Sequence, residues 1–269
     1  MNRTIILVGC GNMGRAMLEG WLTAGKAPAG DITVVEPNDE LRERAARLGV
    51  TSCASAGDLP ADAAPFIVIF AVKPQVMRDV AVQYRRFAGA GATFVSIAAG
   101  TPIAVFENLL GADAAVIRSM PNTPAAIGKG MMVNVANAHA GAEARAFVDE
   151  LFSANGLVRE VDDEGLIDAV TAVSGSGPAY VFHFIEALTA AGIEAGLSPD
   201  MAATLAGQTV YGAASLAAHS AETPETLRRQ VTSPNGTTQA GLEVLMEELT
   251  DLVTRTVEAA KIRSIELRN

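Results

Sequence analysis

Thr4-Ile5-Ile6-Leu7-Val8-Gly9-Cys10-Gly11-Asn12-Met13-Gly14 is the stretch on which the reading of this chain turns. A short apolar run stops at Gly9 and reads as a buried strand. From Asn12 to Ala24 the apolar residues Met13, Met17, Leu18, Trp21 and Leu22 recur at helical spacing. A strand that passes into a helix through three glycines is a specific context. Gly9 allows the tight turn, Gly11 lets the backbone approach a pyrophosphate, and Gly14 lets helix and strand pack closely. The amides that open the helix, at Asn12 and Met13, face an anion with the positive end of the dipole. Glu36 lies 22 residues beyond Gly14, at the end of the next apolar run, where an acid can take the adenosine ribose hydroxyls. The expectation is a bound dinucleotide. A carboxylate at that place favours NADH and repels the extra phosphate of NADPH, although Arg42 and Arg44 are near enough in sequence to reach around. The plainer readings are a glycine turn without a ligand and a solvated strand-end acid at Glu36.

Outward from this loop, the first half alternates strand and helix signals. Ile32 to Val35 reads as a strand stopped by Glu36-Pro37, and Asn38 can cap a helix through Leu41 to Leu48 that Gly49 ends. Val50 to Cys53, Phe66 to Ala71, Thr93 to Ala98 and Ala114 to Arg118 read as further strands, and Met131-Met132 as part of another. Such alternation predicts right-handed βαβ units in a mostly parallel sheet, and runs as continuously apolar as Phe66 to Val72 fit strands covered on both faces. After about Val161 the pattern stops. Asp163 to Leu267 is Ala-rich, with Leu, Ile and Val three and four apart. Ser198-Pro199-Asp200 and Thr223-Pro224-Glu225 each place a cap, a proline at the first helical position and an acid in the first turn. The expected architecture is an α/β Rossmann dinucleotide-binding domain over 1–161 followed by an all-α domain over 162–269. An Ala-rich helical half needs partners to bury its apolar faces, which predicts a homodimer at least.

Composition excludes several classes. Of the 269 residues, 20 are Lys or Arg and 30 Asp or Glu, a net charge of −10 that argues against a nucleic-acid backbone or an acidic membrane as partner. Cys10 and Cys53 make no disulfide scaffold, and with His139, His183 and His219 they give no zinc-ligand spacing, so no metal is expected. No apolar run approaches the length of a membrane span, and the amino end lacks the pattern of a signal peptide. The chain reads as a cytoplasmic protein.

Other motifs complete a resemblance. The glycine loop, Ala71-Val72-Lys73-Pro74-Gln75, Arg118-Ser119-Met120-Pro121-Asn122-Thr123-Pro124, Ser174-Gly175-Ser176-Gly177-Pro178-Ala179-Tyr180 and Val231-Thr232-Ser233-Pro234-Asn235-Gly236-Thr237-Thr238 together resemble the pyrroline-5-carboxylate reductases over nearly the whole chain. The resemblance implies reduction of the C=N bond of 1-pyrroline-5-carboxylate to L-proline by NADPH or NADH, a Rossmann domain, and a helical dimerisation domain whose dimers often gather into decamers. Two departures stand out. Asn235 occupies a place where the family usually has glycine, and Met246-Glu247-Glu248-Leu249-Thr250 runs on as good helix where members often carry a glycine between two helices.

Ser233 to Gly236 is a turn signal, and Thr237-Thr238 opens a helix whose unpaired amides suit an anion. The substrate carboxylate is assigned to the amides of Gly236, Thr237 and Thr238 with Ser233 assisting. By resemblance the Thr238 hydroxyl bonds the ring nitrogen; the alternative is a plain helix cap. No His or Cys in these motifs offers a tuned acid, so the substrate is expected as its iminium form. Ala71, Val72, Lys73 and Pro74 follow a strand at the cofactor crevice, with Lys73 either touching the cofactor or standing as a surface lysine. Asn122 either orients the nicotinamide or satisfies its turn. Ser174 to Pro178 favours a packing role, Cys10 a small filler, and His183 core or interface. The nearest competing reading, a β-hydroxyacid dehydrogenase, needs a lysine in a glycine-led helical motif that Lys26, Lys73, Lys129 and Lys261 do not supply. A non-catalytic nucleotide sensor would not need the Ser233 to Thr238 turn.

Overall fold

The computed structural model describes residues 3–268. The chain runs β1 (Ile5–Val8), α1 (Asn12–Thr23), β2 (Ile32–Val35), α2 (Asp39–Ala46), β3 (Thr51–Cys53), β4 (Ile67–Phe70), α3 (Met77–Ala81), β5 (Thr93–Ser96), α4 (Ile103–Leu110), β6 (Ala115–Met120), β7 (Gly130–Ala136), α5 (Ala142–Phe152), β8 (Gly156–Glu160) and α6 (Ile167–Val170). Helices follow alone: α7 (Gly177–Glu194), α8 (Pro199–His219), α9 (Pro224–Gln230) and α10 (Thr237–Glu266). The strands form one sheet in the order β3-β2-β1-β4-β5-β6-β7-β8, parallel from β3 to β6. Strand order therefore reverses at β1, and the crevice outside the carboxyl ends of β1 and β4 is where an open α/β sheet binds ligands.

Both faces of that sheet are covered, which is why its strands are apolar at successive positions. Ile5 and Leu7 pack on one side with Met17, Leu18 and Trp21 of α1 and Val148 and Phe152 of α5. Trp21 stacks on Phe152 with ring centroids 6.1 Å apart. Ile6 and Val8 face the other way, into a core with Val68, Phe70, Tyr84, Phe94 and Phe106.

Several expected local signals are realised atom for atom. Asn38 accepts from the N–H of Leu41 at the start of α2, Ser198 from that of Met201 at the start of α8, and Thr223 from that of Thr226 at the start of α9. Other features differ from the sequence reading. The strand expected to end at Arg118 continues to Met120, and β7 returns antiparallel beside it with Ile117 opposite Ala136. β8, which the apolar pattern does not reveal, pairs parallel to β7 at the sheet edge. It is short and carries Arg159 and Glu160, residues that blunt an edge and break an apolar run.

The chain separates into two compact units, one of residues 1–176 with 260–269 and one of residues 177–259. The boundary drawn near residue 161 marks the end of the sheet, but the first unit continues through α6 to Ser176, and the last ten residues belong with it. Asp168 explains part of this. Buried on α6, it accepts from the Ser264 hydroxyl at 2.8 Å and pairs with Arg268. In the second unit α7 and α8 form a hairpin turned at Gly196, and α10 runs unbroken through Met246 to Thr250, as its sequence predicts. Among the described residues the buried apolar side chains of this unit are the small Ala202 and Ala206, whereas Phe182, Tyr211, Val244 and Leu252 stand exposed.

Candidate functional site

The glycine loop joins β1 to α1 and borders a crevice of about 530 Å³ at the carboxyl ends of β1, β2 and β4. Gly9 has φ +89°, and a Cβ there would lie 2.8 Å from the Ala71 carbonyl oxygen. A Cβ on Gly14 would lie 2.5 Å from the carbonyl oxygen of Gly9, so helix and strand meet at a distance only glycine permits. Gly11 has nothing within 4 Å of where its Cβ would be, which leaves the approach open. Among the described residues the N–H groups of Gly11, Asn12 and Met13 meet no acceptor, while the N–H of Arg15 already bonds Gly11. This cradle fits a pyrophosphate.

Glu36 sits at the end of β2 and lines the crevice while only 7% exposed. Its Oε2 accepts from the N–H of Cys10 at 2.7 Å and its Oε1 from that of Asn38 at 3.0 Å. The carboxylate thus ties the glycine loop to the end of β2. A carboxylate offers about four lone-pair sites, so two remain for ribose hydroxyls. Arg42, the nearby cation, is already engaged: it donates to the carbonyls of Glu36 and Pro37 at 3.0 and 3.3 Å and pairs with Asp39 at 2.6 Å. Burial, assisted by the Glu36 charge, pushes the Cys10 thiol up to about 11, so Cys10 is a neutral filler rather than an activated nucleophile. Tyr84, buried against Phe70 on the crevice wall, is likewise raised by burial.

Of the other residues singled out in the sequence, Ala71, Val72 and Lys73 line the crevice with Gly9, Gly11 and Glu36, and Lys73 is exposed there. Pro74 opens a short 3-10 turn and lines a second cavity of about 360 Å³ with Ala99, Gly100 and Thr101 beyond β5. Asn122 does not line the crevice. Its Oδ1 accepts from the N–H of Met131 at 2.9 Å, and its Nδ2 donates to the carbonyl and hydroxyl oxygens of Ser174 at 3.1 and 3.3 Å. Both ends of that amide hold protein. Gly175 packs against Met120, in line with a packing role for the Ser174 segment. His183 is exposed in the chain and bonds Glu186 at 3.0 Å. Leu41, Ser55, Ala56, Val76 and Gln83, which sequence reading missed, also line the crevice. Ser55 and Ala56 follow the end of β3 closely, whereas Leu41, Val76 and Gln83 reach the crevice from the helical segments after β2 and β4 and carry no sequence signal.

The second unit carries the other candidate cluster by itself. Pro234 to Gly236 form a tight turn in which the N–H of Gly236 closes onto the Ser233 carbonyl at 3.1 Å. Thr237 and Thr238 then begin α10, a helix of 30 residues. Among the described residues the N–H groups of Thr237 and Thr238 meet no acceptor, and neither do the hydroxyls of Ser233, Thr237 and Thr238. The amide of Gly236 is therefore partly committed to the turn, and those of Thr237 and Thr238 are the free donors. No group of side chains among the described residues has the makings of a metal site, and no helix among them is long and apolar enough to cross a membrane.

A switch-point crevice with a phosphate cradle, followed by a helical unit with an anion-suited turn, defines a nicotinamide-dinucleotide-dependent oxidoreductase. Comparison with known proteins gives the particular family. Residues 164–267 match the family model described as pyrroline-5-carboxylate reductase dimerisation, and residues 4–100 the model described as NADP oxidoreductase coenzyme F420-dependent. Pyrroline-5-carboxylate reductase from Pseudomonas aeruginosa is 41% identical, over 98% of this chain and 96% of its own. A pyrroline-5-carboxylate reductase structure from Coxiella burnetii superposes with a TM-score of 0.94 at 30% identity, covering 100% of both chains. That of Plasmodium falciparum with NADP bound gives 0.84 at 27% identity, over 100% of this chain and 99% of its own. The chain belongs to the pyrroline-5-carboxylate reductase family.

Proposed function

We infer that this chain reduces the C=N bond of 1-pyrroline-5-carboxylate to L-proline, the last step of proline biosynthesis, with NADH preferred over NADPH. The reaction is that of the family to which the chain belongs. Gly9, Gly11, Asn12, Met13 and Gly14 form the loop assigned to the pyrophosphate and Glu36 takes the adenosine ribose, while Ala71, Val72 and Lys73 line the crevice and Pro74 follows them into the next turn. A nicotinamide bound there supplies a hydride equivalent. The substrate carboxylate is assigned to the N–H groups of Thr237 and Thr238, with Gly236 and the Ser233 hydroxyl assisting. The Thr238 hydroxyl both accepts and donates, so it can follow the ring nitrogen from iminium, which donates, to amine, which also accepts. No tuned acid is then required of the protein. Asn122 serves through the loop it holds together with Met131 and Ser174, and any contact it makes with the nicotinamide is secondary to that.

The observation that carries the substrate assignment is the first turn of α10, where the amides of Thr237 and Thr238 meet no acceptor among the described residues. For the cofactor it is the Glu36 carboxylate on the crevice wall, with Arg42 already engaged by the Glu36 and Pro37 carbonyls and by Asp39. A 2′-phosphate would meet a negative charge there and no released guanidinium from Arg42. The exposed apolar side chains of α7, α8 and α10 support a homodimer as the working state, and gathering of dimers into decamers is what the family resemblance implies. Cys10 and Cys53 as free thiols are in keeping with a reducing, cytoplasmic setting. The test follows oxidation of NADH and of NADPH, side by side, with 1-pyrroline-5-carboxylate. A specificity constant higher for NADPH overturns the cofactor assignment.

A further inference from the structure

Asn235 is the one non-glycine residue with left-handed backbone among the described residues, at φ +59°. That conformation crowds an L side chain, asparagine less than most. What holds it is visible in the neighbouring turn of α10. The N–H of Asn235 donates to Oε1 of Gln239 at 2.9 Å, and Nε2 of Gln239 donates to Oε1 of Glu243 at 2.9 Å. The amide has only one workable orientation. Reversed, its NH₂ would face the Asn235 N–H and its oxygen would face a carboxylate. Glu243 therefore orients Gln239, and Gln239 orients the peptide plane between Pro234 and Asn235.

The third residue of a helix commonly reaches back to the N–H of the residue just before the helix, which stabilises the helix end. Gln239 is that third residue, but it passes over Gly236, whose N–H is turned to Ser233 instead. Its bond acts one residue further out, on the strained corner of the turn. We propose that Gln239 is a positioning residue for substrate. By holding Asn235 in the left-handed conformation it aims the free amides of Thr237 and Thr238. The inference rests on the reading that this turn takes the substrate carboxylate.

The test is Gln239→Ala, with Thr238→Ala assayed beside it and Asn235→Gly added to Gln239→Ala as a rescue. Loss of one hydrogen bond that fixes the turn is expected to raise KM for 1-pyrroline-5-carboxylate about tenfold. KM for NADH and the melting temperature stay near the parent values, and adding Asn235→Gly recovers most of the loss, because glycine needs no tether at positive φ. An unchanged substrate KM, a fall in melting temperature alone, or a raised KM that Asn235→Gly leaves untouched overturns the inference. If Thr238→Ala cuts turnover while Gln239→Ala is silent, the positioning role fails and the carboxylate assignment stands. If both are silent, the assignment itself fails and takes the inference with it.

Discussion

Replacing Glu36 by Gln alters a single heavy atom and the charge, yet it acts on the cofactor twice. The carboxylate accepts from Cys10 and Asn38 at 2.7 and 3.0 Å while almost fully buried. An amide can satisfy only one of these with its oxygen and must turn its NH₂ toward the other N–H. Hydrogen bonds to charged groups contribute about 1.5–3 kcal/mol each. Losing one from the clasp on the glycine loop should therefore weaken NADH binding about 10- to 150-fold, at about 1.4 kcal/mol per tenfold. NADPH suffers the same loosening but gains relief. A carboxylate about 5 Å from one phosphate charge repels it by roughly 3 kcal/mol at an effective dielectric of about 20. The two effects oppose each other for NADPH, so its binding should change little. The ratio of specificity constants, NADH over NADPH, should then fall by about a hundredfold. Steady-state rates with each cofactor and titration of NADH fluorescence measure both quantities. A ratio that stays within about threefold of the parent value would show that Glu36 does not read the ribose end, and an unchanged NADH affinity would show that it does not clasp the loop.

Other perturbations test separate links. Thr238→Ala should lower turnover by about 10²-fold or more with little change in melting temperature, since its hydroxyl bonds nothing among the described residues and is the group assigned to the reacting nitrogen; near-normal turnover would remove Thr238 from the reaction. Gly14→Ala should abolish cofactor binding, because the added Cβ meets backbone oxygen at 2.5 Å, and intact NADH binding would contradict the loop geometry. Glu164→Ala should cost about 3–5 kcal/mol in denaturant unfolding, because Glu164 bonds Arg118 at 2.8 Å and Arg118, 1% exposed, would be left as a buried charge. Stability should also fall at alkaline pH. Below about pH 9 the Cys10 thiol is neutral in both states; between 9 and about 11 it ionises in the unfolded chain while the folded chain keeps it protonated. That part of the decline should flatten in Cys10→Ala, as melting temperatures across the range will reveal.

How far the fold could be read in advance varies with the range of the interaction. The caps at Asn38, Ser198 and Thr223 are contacts over three residues, so spelling and structure coincide. The unbroken α10 likewise follows from helix-forming residues between Met246 and Thr250. β8 was invisible because a five-residue edge strand with one face in water has no apolar repeat to announce it. Glu36 stands out in the sequence from its place after β2, but its clasp on Cys10 does not, since 26 residues separate the partners. Gln239 reads as an ordinary polar position on a helix until the backbone of Asn235 is known.

Sequence alone thus determined the strand-turn-helix loop, the alternation that makes a parallel sheet, the onset of an all-helical second half, and the turn before α10. These are set by glycine sterics, side-chain periodicity and capping, all of which act within a few residues. Only tertiary structure decided that β7 runs antiparallel, that the last helix returns to α6 through Ser264 and Asp168 across 96 residues, and that Arg42 is engaged by the Glu36 and Pro37 carbonyls. Such contacts depend on which surfaces meet once the sheet has closed over its two cores, and a buried polar group must then find whatever partner the packing brings.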